Sequence, residues 1–188
     1  MDGNPPEFEP RPITTRDGRA LTLRAAAPSD APALRLLYIE LSETSEFGVI
    51  ERDEVMPDEP LRESVEEGSA KGWLWIVVEG APGSIVGDCI VRPEKYRRLA
   101  HNATIGLGLA DGWRGVGLGR AVMDASIDWS RAHPALRRLE LQVFASNAPA
   151  IGLYESLGFE REGRHPDRVV MPGGRAIGEI RMALDVAP

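Results

Sequence analysis

A glycine-rich stretch near the middle of the chain, "WRGVGLGRAV" at 113–122, is the first candidate for chemistry. The start of a helix offers unpaired N–H groups and the positive end of the helix dipole, and an anion binds there if no side chain blocks it. The alternate glycines remove such obstacles, and the flanking arginines add charge. We therefore predict a phosphate or diphosphate site on seven residues: Arg114, Gly115, Val116, Gly117, Leu118, Gly119 and Arg120.

Two better-known phosphate loops do not fit this stretch. A Walker A loop requires Gly-Lys-Ser/Thr, and no lysine follows these glycines. The dinucleotide fingerprint G-x-G-x-x-G requires glycine at position 120, which Arg120 occupies. A flexible turn that only caps a helix remains an alternative, because glycine punctuation is common.

A second motif follows one strand later, in "NAPAIGLYESLGF" at 147–159. The glycine stretch followed by N-x-x-A-x-x-L-Y-x-x-x-G-F resembles the two cofactor motifs of the GNAT (Gcn5-related N-acetyltransferase) superfamily. The similarity runs from about residue 20 to residue 186, with a weaker match to bacterial amino-acid and small-amine acetyltransferases. It implies an α/β fold with a mixed, mostly antiparallel sheet, helices on both faces and a splayed cofactor cleft.

The resemblance also implies roles for individual residues. Acetyl-CoA is the co-substrate, its diphosphate lies on the amides from Arg114 to Arg120, and its pantetheine pairs with the backbone of Leu107 and Leu109. A backbone N–H near Leu109 stabilises the thioester oxygen, and Tyr154 protonates the departing thiolate. Asn147 either contacts pantetheine or only caps its helix, since asparagine is favoured at that position without a ligand.

The general base is the least determined residue. The attacking amine must lose a proton, because an alkyl ammonium with a pKa near 10.4 is almost fully charged at neutral pH. Some relatives carry a glutamate where this chain has Thr104, which cannot serve. We name His101 as the catalytic candidate beside Tyr154, because histidine is the residue type that most often serves as a general base. Asp88, Glu43 and a relaying water remain open.

Composition limits the class of partner. The 188 residues carry a net charge of −7, which disfavours nucleic acid, and no stretch has the length of a signal peptide or membrane span. Residues 40–67 alone hold a charge of −9, typical of either a solvated face or a surface that attracts a cation. A single cysteine, Cys89, and three unclustered histidines predict no disulfide and no metal site. We expect a cytoplasmic protein.

The elements that must position these residues follow from hydrophobic periodicity. We predict a flexible tail over 1–10 and one domain over 11–188. Strands are predicted at 20–26, 72–80, 84–92, 103–110, 137–145 and near 176–186, and the overall order requires one more strand after the last helix. Helices are predicted from about 30, near 60–70, after the glycines to about 133, and from 147.

These observations together predict an acetyl-CoA-dependent N-acetyltransferase that acts by direct transfer in a ternary complex. The expected acceptor is the primary amine of a small molecule such as an amino acid. A protein N-terminus or lysine is the alternative acceptor, and a non-catalytic acyl-CoA-binding module is the alternative function. A homodimer is possible, as in many relatives.

Overall fold

The computed structural model describes residues 4–187, in which eight strands and four helices are found. Residues 1–3 of the predicted tail and residue 188, the last of the predicted domain, lie outside this range. The strands are β1 Arg11–Thr14, β2 Ala20–Ala25, β3 Leu74–Glu79, β4 Ile85–Pro93, β5 Asn102–Leu109, β6 Arg138–Phe144, β7 Glu160–Val170 and β8 Ala176–Asp185. The helices are α1 Ala31–Thr44, α2 Asp58–Ala70, α3 Leu118–Ala132 and α4 Ala148–Ser156.

The strands form one sheet in the order β1-β2-β3-β4-β5-β6-β8-β7. All neighbouring pairs are antiparallel except β5 and β6, which run parallel. This is the mixed, mostly antiparallel sheet that the resemblance implies. The parallel pair is required because α3 crosses from the end of β5 back to the start of β6.

Helices cover both faces of the sheet, as predicted. On one face, α1 and α2 bury Leu34, Leu37 and Leu61 against Trp75 and Val77 of β3. On the other face, α3 and α4 pack on a larger core built from alternate residues of six strands. Successive residues of a strand point to opposite faces, and strands β3 and β4 contribute residues to both cores.

The hydrophobic pattern located nearly all the elements. Strand β3 is buried from Leu74 to Val78, as expected for a strand covered on both faces. Helix α3 begins after Gly117, whose φ of 87° requires a left-handed backbone, and ends before His133 and Pro134. The helix predicted from 147 begins at Ala148 with Asn147 as its cap.

One strand was not predicted. Strand β1 forms a hairpin with β2 through the turn at Asp17 and Gly18, where Gly18 has a φ of 86°. An Asp-Gly pair between short strands is a strong hairpin signal. This hairpin brings its turn next to the glycine stretch, where Arg16 N donates to Val116 O at 2.9 Å.

The described part of the predicted N-terminal tail packs on the domain. Phe8 is buried in the larger core, and Trp129 Nε1 donates to Pro6 O at 2.7 Å. Residues 4–10 thus differ from the expectation of a flexible segment. The difference arises because one aromatic side chain in a polar, proline-rich stretch finds a place beside α3, which no local pattern reveals.

Candidate active site

The sheet opens between β5 and β6. These strands pair only at Asn102 with Arg138, Ala103 with Leu139 and Thr104 with Glu140. Beyond this point β5 continues to Leu109 along β4, while β6 continues to Phe144 along β8. The result is a wedge-shaped gap in the middle of the sheet, which corresponds to the splayed cleft predicted from the sequence.

The backbone of β5 presents hydrogen-bonding groups to this gap. Asn102 O accepts from Glu94 N, and Ala110 N donates to Val86 O, so the even-numbered residues of β5 direct their polar groups toward β4. Because these directions alternate along a strand, Leu107 and Leu109 direct theirs toward the gap. An extended chain that enters the gap can pair with them as an added strand does.

The glycine loop lies where the gap opens, between the end of β5 and the start of α3. None of the described residues accepts a hydrogen bond from the main-chain nitrogens of residues 114–120. Ala121 is the first residue at this helix start to be bonded, to Gly117 O at 3.2 Å. The loop therefore offers an array of free N–H groups at the positive end of a 15-residue helix, suited to an anion.

The three glycines of the loop differ in what surrounds the position that a β carbon would occupy. A β carbon at Gly115 would meet nothing within 4 Å, so its open side is free for a ligand. A β carbon at Gly117 would touch the side chain of Arg16, with Nε 3.3 Å away. At Gly119 it would meet Leu153 and Leu107 at 3.3 and 3.5 Å, so this glycine lets α3 pack closely on α4 and β5.

The arginines predicted to assist the anion are held by neighbours. Arg114 Nε donates to Leu109 O at 3.2 Å, and the Arg120 guanidinium contacts the Ser156 hydroxyl. Both side chains remain close to the loop and add positive charge there. Their hydrogen bonds also fix the end of β5 and the end of α4 around it.

A buried carboxylate, Asp88, lies on the α1 side of the sheet. It stands on β4 opposite Gly108 of β5 and is only 4% exposed. Its Oδ2 accepts from Tyr38 Oη of α1 at 2.7 Å and from Trp75 Nε1 at 3.1 Å. Burial raises the pKa of Asp88 to about 6, although these two hydrogen bonds oppose the change.

Gly108 separates Asp88 from the gap. A β carbon there would lie 2.9 Å from Asp88 Oδ1 and 2.9 Å from Leu41 Cδ1. The bare backbone at Gly108 therefore leaves room beside the second carboxylate oxygen. Counting on from the last parallel pair, Thr104 with Glu140, Gly108 is level with Phe144 across the gap.

The segment after α1 lies against the far wall of the gap. Phe47 packs edge-to-face on Phe144 at the end of β6, with ring centroids 6.5 Å apart. Many acids of the predicted acidic region, including Glu59, Glu66 and Glu67, are exposed and paired with neighbouring bases. Much of that charge thus belongs to a solvated face, while Phe47 brings the segment to the cleft.

Tyr154 lies on the opposite side of the sheet from Asp88. It belongs to α4, at the edge of the larger core, with its ring 5.9 Å from that of Phe159. Its hydroxyl makes no hydrogen bond to any of the described residues. Burial raises the pKa of Tyr154 to about 12. The phenol keeps its proton at neutral pH and is therefore a proton donor.

The sequence was compared with known proteins. The sequence model of the acetyltransferase (GNAT) family matches residues 35–159, about two thirds of the chain. The chain belongs to the GNAT family. This membership confirms the family and the enzyme class predicted from the sequence, an acyltransferase with acetyl-CoA as its co-substrate.

Individual GNAT relatives support the same conclusion. Streptothricin acetyltransferase of Streptomyces lavendulae is 32% identical over 165 residues, covering 78% of this chain and 85% of that protein. L-amino acid N-acetyltransferase AaaT of Escherichia coli is 35% identical over 81 residues, covering 43% of this chain and half of that protein. A phosphinothricin acetyltransferase of Sinorhizobium meliloti, solved in complex with acetyl-CoA, shares the fold with a TM-score of 0.77, at 19% identity and 89% coverage of both chains.

His101 does not lie where a base of this GNAT enzyme would be needed. It is exposed at the start of β5, and Leu107 lies six residues further along the strand, about 20 Å away. Glu43 is exposed and paired with Arg52. Thr104 lies at the closed end of the gap, where β5 and β6 still pair. Asp88 lies one strand away from the gap, behind the bare backbone of Gly108.

Asn147 caps α4. Its Oδ1 accepts from Ala150 N at 3.2 Å, which is the structural role that its residue type favours. The side-chain amide nitrogen is not used by this bond. The alternative role in contacting pantetheine therefore stays a prediction.

Sequence reasoning did not single out three residues that matter to the site. Tyr38 was assigned to the apolar face of its helix and Trp75 to packing, yet both donate to Asp88. Arg16 was overlooked because β1 was not predicted. The Asp-Gly turn beside Arg16 was the available signal.

Cys89 is buried, as predicted for an unreactive thiol. It is fully enclosed, its Sγ lies 3.3 Å from Ser126 Oγ, and burial raises its pKa to about 12. Among residues 4–187 there is no group of three His, Cys, Asp or Glu side chains placed to hold a metal ion. In the same range, no helix has the length and apolar character needed to cross a membrane.

Proposed function

We propose that this protein transfers the acetyl group of acetyl-CoA to the primary amine of a small molecule. The observation that carries the proposal is the gap between β5 and β6, with Asp88 on the α1 side of the sheet and Tyr154 on the α4 side. A thioester threaded through the gap has a base on one side and an acid on the other. Such an arrangement suits attack by an amine from the α1 side and departure of sulfur toward α4.

Each protein group has a chemical task in this proposal. Acetyl-CoA supplies the activated acetyl group. The free amides of residues 114–120 hold the diphosphate, and the backbone of Leu107 and Leu109 aligns the pantetheine. The N–H of Leu109 donates to the thioester oxygen as negative charge develops on it.

Asp88 and Tyr154 move the protons. Asp88 takes a proton from the attacking ammonium, directly or through one water, and the neutral nitrogen forms a bond to the acetyl carbon. The carbon–sulfur bond then breaks, and Tyr154 donates a proton to the departing sulfur. The second proton that the nitrogen loses on becoming an amide passes to water, and water returns a proton to the Tyr154 oxygen. The single cysteine, Cys89, is buried and keeps its proton, which favours direct transfer in a ternary complex over an acyl-enzyme on a thiol.

The choice of a small amine rests on several observations. Streptothricin acetyltransferase, which matches 78% of this chain, and AaaT, which matches 43% of it, are named for acting on streptothricin and on an amino acid. The buried carboxylate of Asp88, on the strand next to β5, favours a cationic acceptor.

Release of free thiol from acetyl-CoA tests the proposal. It is measured with amino acids, polyamines, aminoglycosides and peptides as acceptors, and the acetylated product is identified by mass spectrometry. Turnover with a small amine, and none with peptides, is the expected result. Turnover only with peptides would favour the protein N-terminus or lysine, and tight acetyl-CoA binding without turnover on any amine would favour a non-catalytic binding module.

A further inference from the structure

Arg16 lies beside the glycine loop although it is about a hundred residues away in sequence. Its backbone N–H donates to Val116 O at 2.9 Å, so the turn between β1 and β2 is joined to the loop. The stem of its side chain lies along Gly117, with Nε, Cγ and Cδ at 3.3, 3.4 and 3.6 Å from the position of a β carbon there. The guanidinium is thereby held at the start of α3.

The turn that carries Arg16 is anchored by Arg19. The Arg19 guanidinium stacks on Trp113 at 3.7 Å from the ring centroid and donates to Gly112 O at 2.9 Å. Its other side is paired with Asp17, and this pairing lowers the pKa of Asp17 to about 2. The turn and the loop thus form one unit, and the position of Arg16 relative to the amides is fixed from two directions.

Arg16 differs from the other arginines around the loop because its side chain has no hydrogen-bond or ion-pair partner among residues 4–187. Arg19, Arg114 and Arg120 each donate to a protein oxygen. No carboxylate or carbonyl of the described residues accepts from the Arg16 side chain. Its fork of donors is exposed, permanently charged and next to free N–H groups, which is the combination that binds phosphate.

We infer that Arg16 binds the diphosphate of acetyl-CoA, forming an ion pair beside the amides of residues 114–120. The inference concerns the binding of the co-substrate alone, and it holds whatever the acceptor amine is. Gly117 is then needed for two reasons, its left-handed backbone and the passage of the Arg16 side chain across it. Arg16, from the turn between β1 and β2, thus adds a third positive charge to those of Arg114 and Arg120 around the loop.

Calorimetric titration of Arg16→Gln with three ligands tests this ion pair. The ligands are acetyl-CoA, acetyl-dephospho-CoA, which lacks the 3′-phosphate, and acetyl-pantetheine, which has no phosphate. The control is Arg11→Gln, which removes the same charge from the same hairpin, where Arg11 faces Asp128 and Phe8. Unfolding temperatures without ligand show that both variants are folded.

The expected result is a loss of about tenfold in affinity for both CoA forms in Arg16→Gln, with no loss in Arg11→Gln and none for acetyl-pantetheine. Arg16→Lys should keep most of the affinity. A loss confined to acetyl-CoA would overturn the diphosphate assignment in favour of the 3′-phosphate. Equal affinities in the wild type and Arg16→Gln would overturn the ion pair, and a wild type that binds no acetyl-CoA would overturn the proposed function as well.

Discussion

Burial acts in the same direction on two acidic groups of the site and suits them to opposite tasks. It raises the pKa of Asp88 to about 6, which leaves the carboxylate charged at neutral pH but more basic than an exposed aspartate. It raises the pKa of Tyr154 to about 12, which keeps the phenol protonated. In the proposed mechanism, the same loss of hydration suits Asp88 to accept a proton on one side of the sheet and Tyr154 to donate one on the other.

Replacing Asp88 by Asn should remove the base. In the wild type, kcat/KM should fall as the pH decreases through about 6, because Asp88 becomes protonated and can no longer accept a proton. Asp88→Asn should lose this acidic limb and about 10²-fold or more of the rate at pH 7. A pH–rate profile measures both effects.

The matched control for Asp88 is Glu43→Gln. Glu43 is exposed and paired with Arg52, so this variant should keep the rate and the acidic limb. If Asp88→Asn retained the limb instead, another group would be the base.

Tyr38 should tune the pKa of Asp88. Its hydroxyl donates to Oδ2 at 2.7 Å and favours the charged carboxylate. Tyr38→Phe should therefore raise the pKa of Asp88 and move the acidic limb of kcat/KM to higher pH. A purely structural role for Tyr38 would lower the rate at every pH without moving the limb.

Tyr154→Phe should lower kcat by about 10²-fold, because sulfur then departs without a proton donor. The affinity for acetyl-CoA should hardly change, since no binding contact depends on the hydroxyl. Kinetics and calorimetry separate these effects, with Tyr96→Phe as the control, because Tyr96 is 62% exposed and far in sequence from the motif. Unchanged turnover in Tyr154→Phe would remove this residue from the mechanism.

At the scale of elements, the backbone groups of strand β5 point alternately toward β4 and toward the gap. Its even-numbered residues hold it to β4, and its odd-numbered residues face the gap from Leu107 onward. The strand can leave β6 because α3 and α4 pack on each other through Gly119 and support the opened sheet. The cofactor groove is thus a gap in the hydrogen bonding of one sheet.

Alanine substitution along β5 tests the space behind the strand. Gly108→Ala places a methyl group 2.9 Å from both Asp88 Oδ1 and Leu41 Cδ1, so it should disturb the base and lower kcat at least tenfold. Gly106→Ala is the control, because a β carbon there meets nothing within 4 Å. Steady-state kinetics should separate the two, with acetyl-CoA affinity largely kept in both. Equal activities would show that the space at Gly108 is not needed.

At the scale of the whole molecule, parts distant in sequence close around the sheet. The β1–β2 turn contacts the glycine loop, the segment after α1 contacts the end of β6, and the N-terminal segment packs beside α3. Each contact joins to the domain a segment whose position the hydrophobic pattern does not predict. The glycine loop therefore contacts a turn near the N-terminus that its own sequence does not reveal.

The N-terminal segment should contribute to stability. Phe8 is 8% exposed, and Phe8→Ala should lower the free energy of unfolding by about 3 kcal/mol through lost burial and a cavity. Glu9→Ala, at the exposed neighbouring position, should change it by less than about 0.5 kcal/mol. Urea unfolding measures both. Equal stability in the two variants would restore the prediction of a loose tail.

Local sequence determined the elements and the ligand class. Apolar spacing located β2–β6 and β8 with all four helices, and the glycine and Asn-to-Phe motifs indicated acetyl-CoA, because these features act within a few residues of chain. The domain bounds, the cytoplasmic location and the possible dimer stay predictions.

Only the tertiary structure shows which charged groups lie near the gap and the glycine loop. The sequence offers both His101 and Asp88 as candidates for the general base. Strand pairing places His101 at the closed end of the gap, and it places Asp88 on β4 opposite Gly108, where β5 has separated from β6. Arg16 reaches the loop through a hairpin turn, and Tyr38 and Trp75 reach Asp88 from another helix and another strand. These relations depend on strand order and register, which bring together residues whose separation along the chain carries no local signal.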